Sequence, residues 1–422
     1  MARGVVPLAA DVTAGLRHPT LIAVGLAMGT ALSLGFGRFA FALFIPSMSQ
    51  DLGWTYFVAG FMNSGMALGY LIGAVSVPAV VHRVGAPFTF IGSGLLTVAL
   101  LGLSGVGANS GGFFALRVLA GITCGYIFSA GGLLVAQVAA VHPRRSGWLV
   151  GIYYAGVGVG IIAASLVVPP LIHLAEGLGR PHPWQWAWFA IAALAVITLV
   201  LMWRPALLAP PIEERSLGDR TSVRRYLPML LGYFCFGLGY IGYMTFVIAL
   251  LTTLGLDAGQ IIAFYSFLGL MLLVSPFFWA RTLTHTRGGG VLCLLNSLLA
   301  VACAVPAVVA LTRDPSPGSA GIAVILAVFA SGMVFGACFM STVASTTAFV
   351  KHNLPAREWV SGISAFTSLF AVGQLVGPSM AGFISDRMGS LAGGFLFAAV
   401  VLAIGAIVAA RQQPLAKHPV AH

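Results

Sequence analysis

The chain has 422 residues, 59% of them hydrophobic and only 7% charged, and its mean hydropathy is +1.00. Those values exclude a soluble globular domain and fit a polytopic membrane protein. The net charge of +11 raises the question of nucleic acid, but the basic residues form no aromatic-interleaved stripe. They punctuate the gaps between apolar runs, as topology signals do.

A window of about twenty residues divides the chain into twelve predicted membrane-spanning helices. Their approximate limits are 20–48, 55–79, 87–108, 112–140, 147–173, 184–203, 226–253, 258–281, 288–311, 319–350, 358–384 and 390–410. The first apolar run is too long for a signal-peptide core and continues into the body of the protein, so it is expected to be retained. Span one carries Arg38, which at about 1.5 Å per residue falls at membrane depth. A guanidinium facing lipid costs at least about 2.5 kcal/mol, so Arg38 is expected to face protein or a wet cavity and to meet an anion or helix carbonyls. Gly35 and Gly37 beside it leave space for another helix or for cargo.

With the amino terminus inside, the loops on that side hold sixteen Lys and Arg residues. The opposite side holds three, Arg180, Arg313 and Arg387. The asymmetry predicts cytoplasmic termini. The remaining two basic residues, Arg38 and Arg117, lie inside spans. Cys124, Cys235, Cys293, Cys303 and Cys338 all fall in apolar runs with no CxxC spacing, which reads as packed thiols without a redox or metal role.

Residues 204–225, with Pro205, Pro210, Pro211, Glu213, Glu214 and Asp219, form the longest polar stretch and divide the chain near its midpoint. This predicts a six-helix bundle over 1–203, a cytoplasmic linker over 204–225 and a second six-helix bundle over 226–422. A shift of 202 residues places GFGR at 35–38 over GLGY at 237–240. A shift of 211 places Trp148, Gly151 and Ile152 over Trp359, Gly362 and Ile363, and Gly121 and Gly125 over Gly332 and Gly336. The ordered matches point to a duplicated half of parallel topology.

Twelve spans, the duplicated half and the charged central loop resemble the major facilitator superfamily over essentially the whole chain. Arg117, Gly121 and Gly125 are similar to its RxxxGxxxG signature. Gly373, Gly377, Pro378 and Gly382 resemble its GxxxGPxxxG pattern, of which Gly156, Gly158 and Gly160 form a degenerate version. These glycines are expected to serve helix packing or gating. The loop after span two, VHRVGAP around Arg83, lacks the acidic residue of the family's gating motif, whereas ISDRMG at 384–389 carries one on the opposite face. GFGRFAFALFIPSM further resembles the YbfB/YjiJ-type branch. The resemblance implies an all-α transporter of two pseudo-symmetric six-helix bundles in the cell inner (plasma) membrane, working by alternating access on a small-molecule substrate. It is expected to act as a monomer in the lipid bilayer, with no nucleic acid, cofactor or metal.

A membrane-embedded enzyme is the remote alternative. The chain has no HExxH, GxSxG or Walker P-loop, no paired Asp cluster, and its histidines sit at helix ends or in loops. All ten carboxylates also lie in loops or near span ends. A lipophilic cation would therefore find no buried counter-charge. That favours an organic anion such as a carboxylate docking on Arg38, with Arg117 assisting if span four turns it inward. Further cavity-lining candidates are Asn63, Gln137, Tyr153 and Tyr154 in the first half and Tyr240, Tyr243, Tyr265 and Gln374 in the second, Tyr240 being the repeat equivalent of Arg38. Efflux of neutral or weakly acidic lipophilic compounds is the competing reading. With no carboxylate at depth, any proton coupling is expected to lack a buried carboxylate carrier, leaving a proton carried on or with the substrate, uniport or exchange, with Asp51 and Glu358 at span mouths the exceptions to test.

Overall fold

The computed structural model describes residues 18–107, 109–210, 222–312, 321–355 and 358–415. Among them, twelve helices are long and apolar enough to cross a membrane. Helix is the form expected, because a bilayer offers no water to unsatisfied backbone groups and a lone helix satisfies its own. The helices are α1 (Pro19–Leu52), α2 (Tyr56–Val84), α3 (Ala86–Ser104), α4 (Ser110–Val141), α5 (Ser146–Gly177), α6 (Trp184–Leu208), α7 (Leu227–Thr253), α8 (Ala258–His285), α9 (Gly290–Thr312), α10 (Ile322–Asn353), α11 (Trp359–Met388) and α12 (Ala392–Ala410). All twelve expected spans are present. The central part of the expected linker, 211–221, lies outside the described residues.

Helix ends follow local chemistry. Pro19 and Pro87 occupy first-turn positions where a missing N–H costs nothing. Asp257 and Gln260 form a reciprocal capping box at the start of α8. Gly389 ends α11 at φ +64°, a conformation that glycine adopts without strain.

Helix α1 is not uniform. Its middle, Ala31–Phe39, is wound as a π-helix, and the amide of Ala40 bonds to the carbonyl of Gly35 at 2.9 Å, five residues back. Gly35 and Gly37 make this segment a weak α-former. Gly35 also admits α5: a Cβ placed on it would lie 2.6 Å from the Cα of Gly160. Thr30 Oγ1 reaches the same helix, 2.7 Å from the carbonyl of Tyr153.

The chain forms two compact units. One comprises Met1–Phe41 and Gly69–Glu214, the other Ala42–Leu68 and Arg215–His422. In the first, α1 packs on α4, α5 and α6, and α3 packs on α4 and α6. Gly69 and Gly73 of α2 meet α4 backbone at Val118, Gly121 and Ile122, and Gly125 meets Tyr70 and Gly73 in return. Small residues here replace side-chain knobs with backbone contact. In the second unit α7 is central, packed on α11 and α12, while α9 contacts α10 and α12 and α8 contacts α10. Gly373 and Gly377 of α11 lie against α7 at Phe234 and Leu238. The last part of α1 and the first part of α2, residues 42–68, belong to this second unit.

Candidate functional site

In the first unit the π-helical segment of α1 gathers the charged groups. Arg38 is 3% exposed, and its guanidinium carbon stands 5.8 Å from the ring centre of Phe39 and 5.5 Å from that of Tyr70. Arg117 of α4 is 1% exposed. It donates from Nη1 to the carbonyl of Gly37 at 2.9 Å and lies 4.3 Å over the ring of Phe41. Because Gly37 precedes Arg38 in the chain, two buried cations occupy one neighbourhood. Glu176, next to the end of α5, is the sole carboxylate among this unit's described residues. Two positive charges in a low-dielectric interior repel each other, and a bound anion relieves that repulsion.

An aromatic run extends from Arg38. Tyr70 lies 6.1 Å from Phe128, which lies 5.8 Å from Tyr154 and 6.2 Å from Tyr153. Tyr153 is fully buried and donates its hydroxyl to the carbonyl of Phe128 at 2.7 Å, whereas Tyr70, Phe128 and Tyr154 stay partly exposed. Ser33, within the π-helical segment, is buried with no hydrogen-bond partner for its hydroxyl among the described residues. Gln137 likewise has a buried Oε1 without a partner among them. Arg83 is exposed in the last turn of α2, where its charge complements the helix dipole.

The remaining expected residues fall in the second unit. Asn63 donates Nδ2 to Thr245 Oγ1 at 2.6 Å, and that hydroxyl bonds to the carbonyl of Ile241. Tyr240 lies in a cluster of near-parallel rings, 4.8 Å from Phe236 and from Phe339 and 5.6 Å from Phe370. Tyr243 stacks on Phe335 at 4.0 Å and shares a hydrogen bond with Ser331 Oγ at 2.8 Å. Tyr265 and Gln374 are buried.

Tyr70, Phe128, Ser33 and Thr245 were not among the residues expected from sequence. Tyr70 had a readable signal, since it lies seven residues after Asn63 and so shares a face of α2. Phe128 and Ser33 had none.

The twelve-helix fold has counterparts among known proteins. The family described as "Uncharacterised MFS-type transporter YbfB" matches residues 30–410. The chain belongs to this family of major facilitator transporters. Among curated relatives, a candidate tartrate transporter of Agrobacterium vitis is 24% identical over 389 residues, 86% of each chain. The multidrug resistance protein MdtG of Salmonella choleraesuis is 31% identical over 165 residues, 38% of each chain. The fold matches the nucleoside transporter NupG with a TM-score of 0.66 at 14% identity, covering 93% of this chain and all of that one. It also matches a bacterial homologue of the lysosomal transporter Spinster, solved inward-facing and occupied, with a TM-score of 0.65 at 14% identity over 94% and 96% of the chains.

Proposed function

We propose that this transporter moves a small organic anion of the carboxylate class by alternating access, with Arg38 as the principal anion contact. The carrying observation is the pair of buried guanidinium groups at the π-helical segment, in a unit whose one described carboxylate lies at a helix end. π-Helical insertions are frequent at functional sites, because they displace backbone and side chains from the regular helical register. Arg117, bonded to Gly37, positions the segment and adds positive potential. Arg38 presents the planar donor fork that matches a carboxylate. The relatives named for tartrate, a dicarboxylate, support the same class of cargo.

The relation to the multidrug resistance protein MdtG favours a second reading, efflux of neutral or weakly acidic lipophilic compounds. A thermal-shift panel separates the two. Mono- and dicarboxylates are expected to raise the melting temperature of the purified protein in a saturable way, and neutral lipophilic compounds and lipophilic cations to leave it unchanged. Stabilisation by hydrophobic cations alone would overturn the anion reading.

In this proposal the bundles of residues 1–203 and 226–422 rock about the site, and both termini and the 204–225 linker are cytoplasmic. A reporter active only in the cytoplasm, fused after Arg225, is expected to be active. Activity there of a reporter that works only outside the cytoplasm would reject this orientation.

A further inference from the structure

The motif ISDRMG at 384–389 has no part in the anion site, yet its carboxylate makes one of the more specific contacts in the second unit. Asp386 accepts from the amide of Tyr56 through Oδ1 at 2.9 Å and from the amide of Phe57 through Oδ2 at 2.8 Å. Those are the first two amides of α2, which no carbonyl of that helix can serve. The third, of Val58, points to Thr55 Oγ1 at 3.3 Å. Asp386 itself stands in the last turn of α11, where its own helix dipole disfavours a negative charge. The positive end of α2 reverses that penalty. Locally Asp386 is in the wrong place, and its partner supplies the reason for it.

A seam continues below this contact. A Cβ on Gly382 would lie 2.6 Å from the carbonyl carbon of Tyr56, and one on Gly60 would lie 2.7 Å from that of Pro378. Ser64 and Ser379 bring their hydroxyl oxygens within 2.8 Å. Positions 56, 60 and 64 on α2 and 378, 382 and 386 on α11 recur every four residues, so each set lies on one helix face. The seam lies within residues that pack as one unit, although α2 belongs by sequence to the amino-terminal six helices. Twelve spans put the start of α2 and the end of α11 on the face opposite the termini.

We propose that Asp386 is a conformational latch: its carboxylate, seated on the first two amides of α2, holds shut the face opposite the termini and releases when the transport cycle parts the seam. This rests on the alternating-access reading. Movement of residues 1–203 against 226–422 requires α2 and α11 to separate here, and charge-assisted bonds from an exposed carboxylate are strong enough to bias that step yet weak enough to break.

The test is disulfide trapping. Cys124, Cys235, Cys293, Cys303 and Cys338 are replaced by serine or alanine, a protease site is placed within 211–221, and Ser64→Cys is combined with Ser379→Cys. The 2.8 Å between the two hydroxyl oxygens puts thiols at these positions side by side. Oxidation with copper phenanthroline, then cleavage, leaves the two fragments joined only where the seam was closed. Asp386→Asn is expected to slow trapping roughly three- to tenfold, the scale of a lost helix-cap contact. Tyr56→Pro, which removes one amide at a position where proline is tolerated, is expected to do the same. Tyr56→Ala, which keeps the amide and loses the ring contact with Phe246, is expected to trap at the parental rate, as is Arg387→Gln. The disulfide is expected to stop transport and its reduction to restore it. Parental trapping rates in well-folded Asp386→Asn and Tyr56→Pro proteins would overturn the latch. So would undiminished transport by fully cross-linked protein, which leaves the transporter reading intact. Absence of anion transport before oxidation would count against that reading instead, and the dependence of trapping on Asp386 and the Tyr56 amide would still decide the latch.

Discussion

Arg38→Gln is expected to lower affinity for a carboxylate ligand about a hundredfold while leaving the melting temperature of the empty protein nearly unchanged. The estimate follows from losing charge-assisted hydrogen bonds worth about 1.5–3 kcal/mol in a site screened from water. Glutamine keeps much of the side-chain volume against Phe39 and Tyr70, and relief of the repulsion with Arg117 offsets the two lost cation–π contacts, so stability should survive. Arg38→Lys keeps the charge but loses the fork, and a loss of about tenfold is expected. If Arg38 only braces the helix, the pattern reverses: stability falls in both variants and the folded fraction binds as before. Titration calorimetry and thermal melting on the same purified samples tell these apart.

Arg117→Met should show the opposite profile. It removes the donor to the carbonyl of Gly37, leaving a buried acceptor at a cost of about 1–3 kcal/mol, and deletes a desolvated cation–π contact with Phe41 of up to about 2 kcal/mol. Relief of repulsion between two buried cations offsets part of this. A net loss near 2–3 kcal/mol is expected, seen as a lower melting temperature and reduced folded yield. Anion affinity should fall less than in Arg38→Gln, because the lost charge lies behind the contact rather than on it. Full stability of Arg117→Met would show that the π-helical segment needs no outside donor.

These two arginines also show how far the sequence could be read. Hydropathy placed both at membrane depth, since the cost of a charge in hydrocarbon makes any such residue conspicuous. It could not distinguish their partners. Gly35 and Gly37 signalled a weak place in α1, but glycine does not specify a π-helical register. That register depends on Gly160 of α5 approaching the backbone of Gly35 and on Arg117 taking the carbonyl of Gly37, contacts 125 and 80 residues apart along the chain. Asn63 looked like a cavity residue because it is polar in an apolar run, and the structure gives it Thr245 as a partner. The repeat equated Tyr240 with Arg38 but carried no sign of the aromatic cluster of Phe236, Phe339 and Phe370 in which Tyr240 packs. Asp386 was visible as an acidic motif on an unexpected face, while its partners are backbone amides, which leave no mark in a sequence. The packing of residues 42–68 with the carboxyl-terminal helices is a tertiary property that periodicity cannot express.

Proteoliposomes provide the most direct measurement of anion transport through Arg38. Wild-type protein and the Arg38→Gln variant, reconstituted at equal density and checked for folding, are loaded with the carboxylate that best stabilises the wild type and assayed for counterflow of its radiolabelled form. Saturable counterflow by the wild type, near background in Arg38→Gln, is the expected result. Equal counterflow by both proteins would contradict the assignment of Arg38, and no counterflow of any stabilising carboxylate by the wild type would contradict anion transport itself.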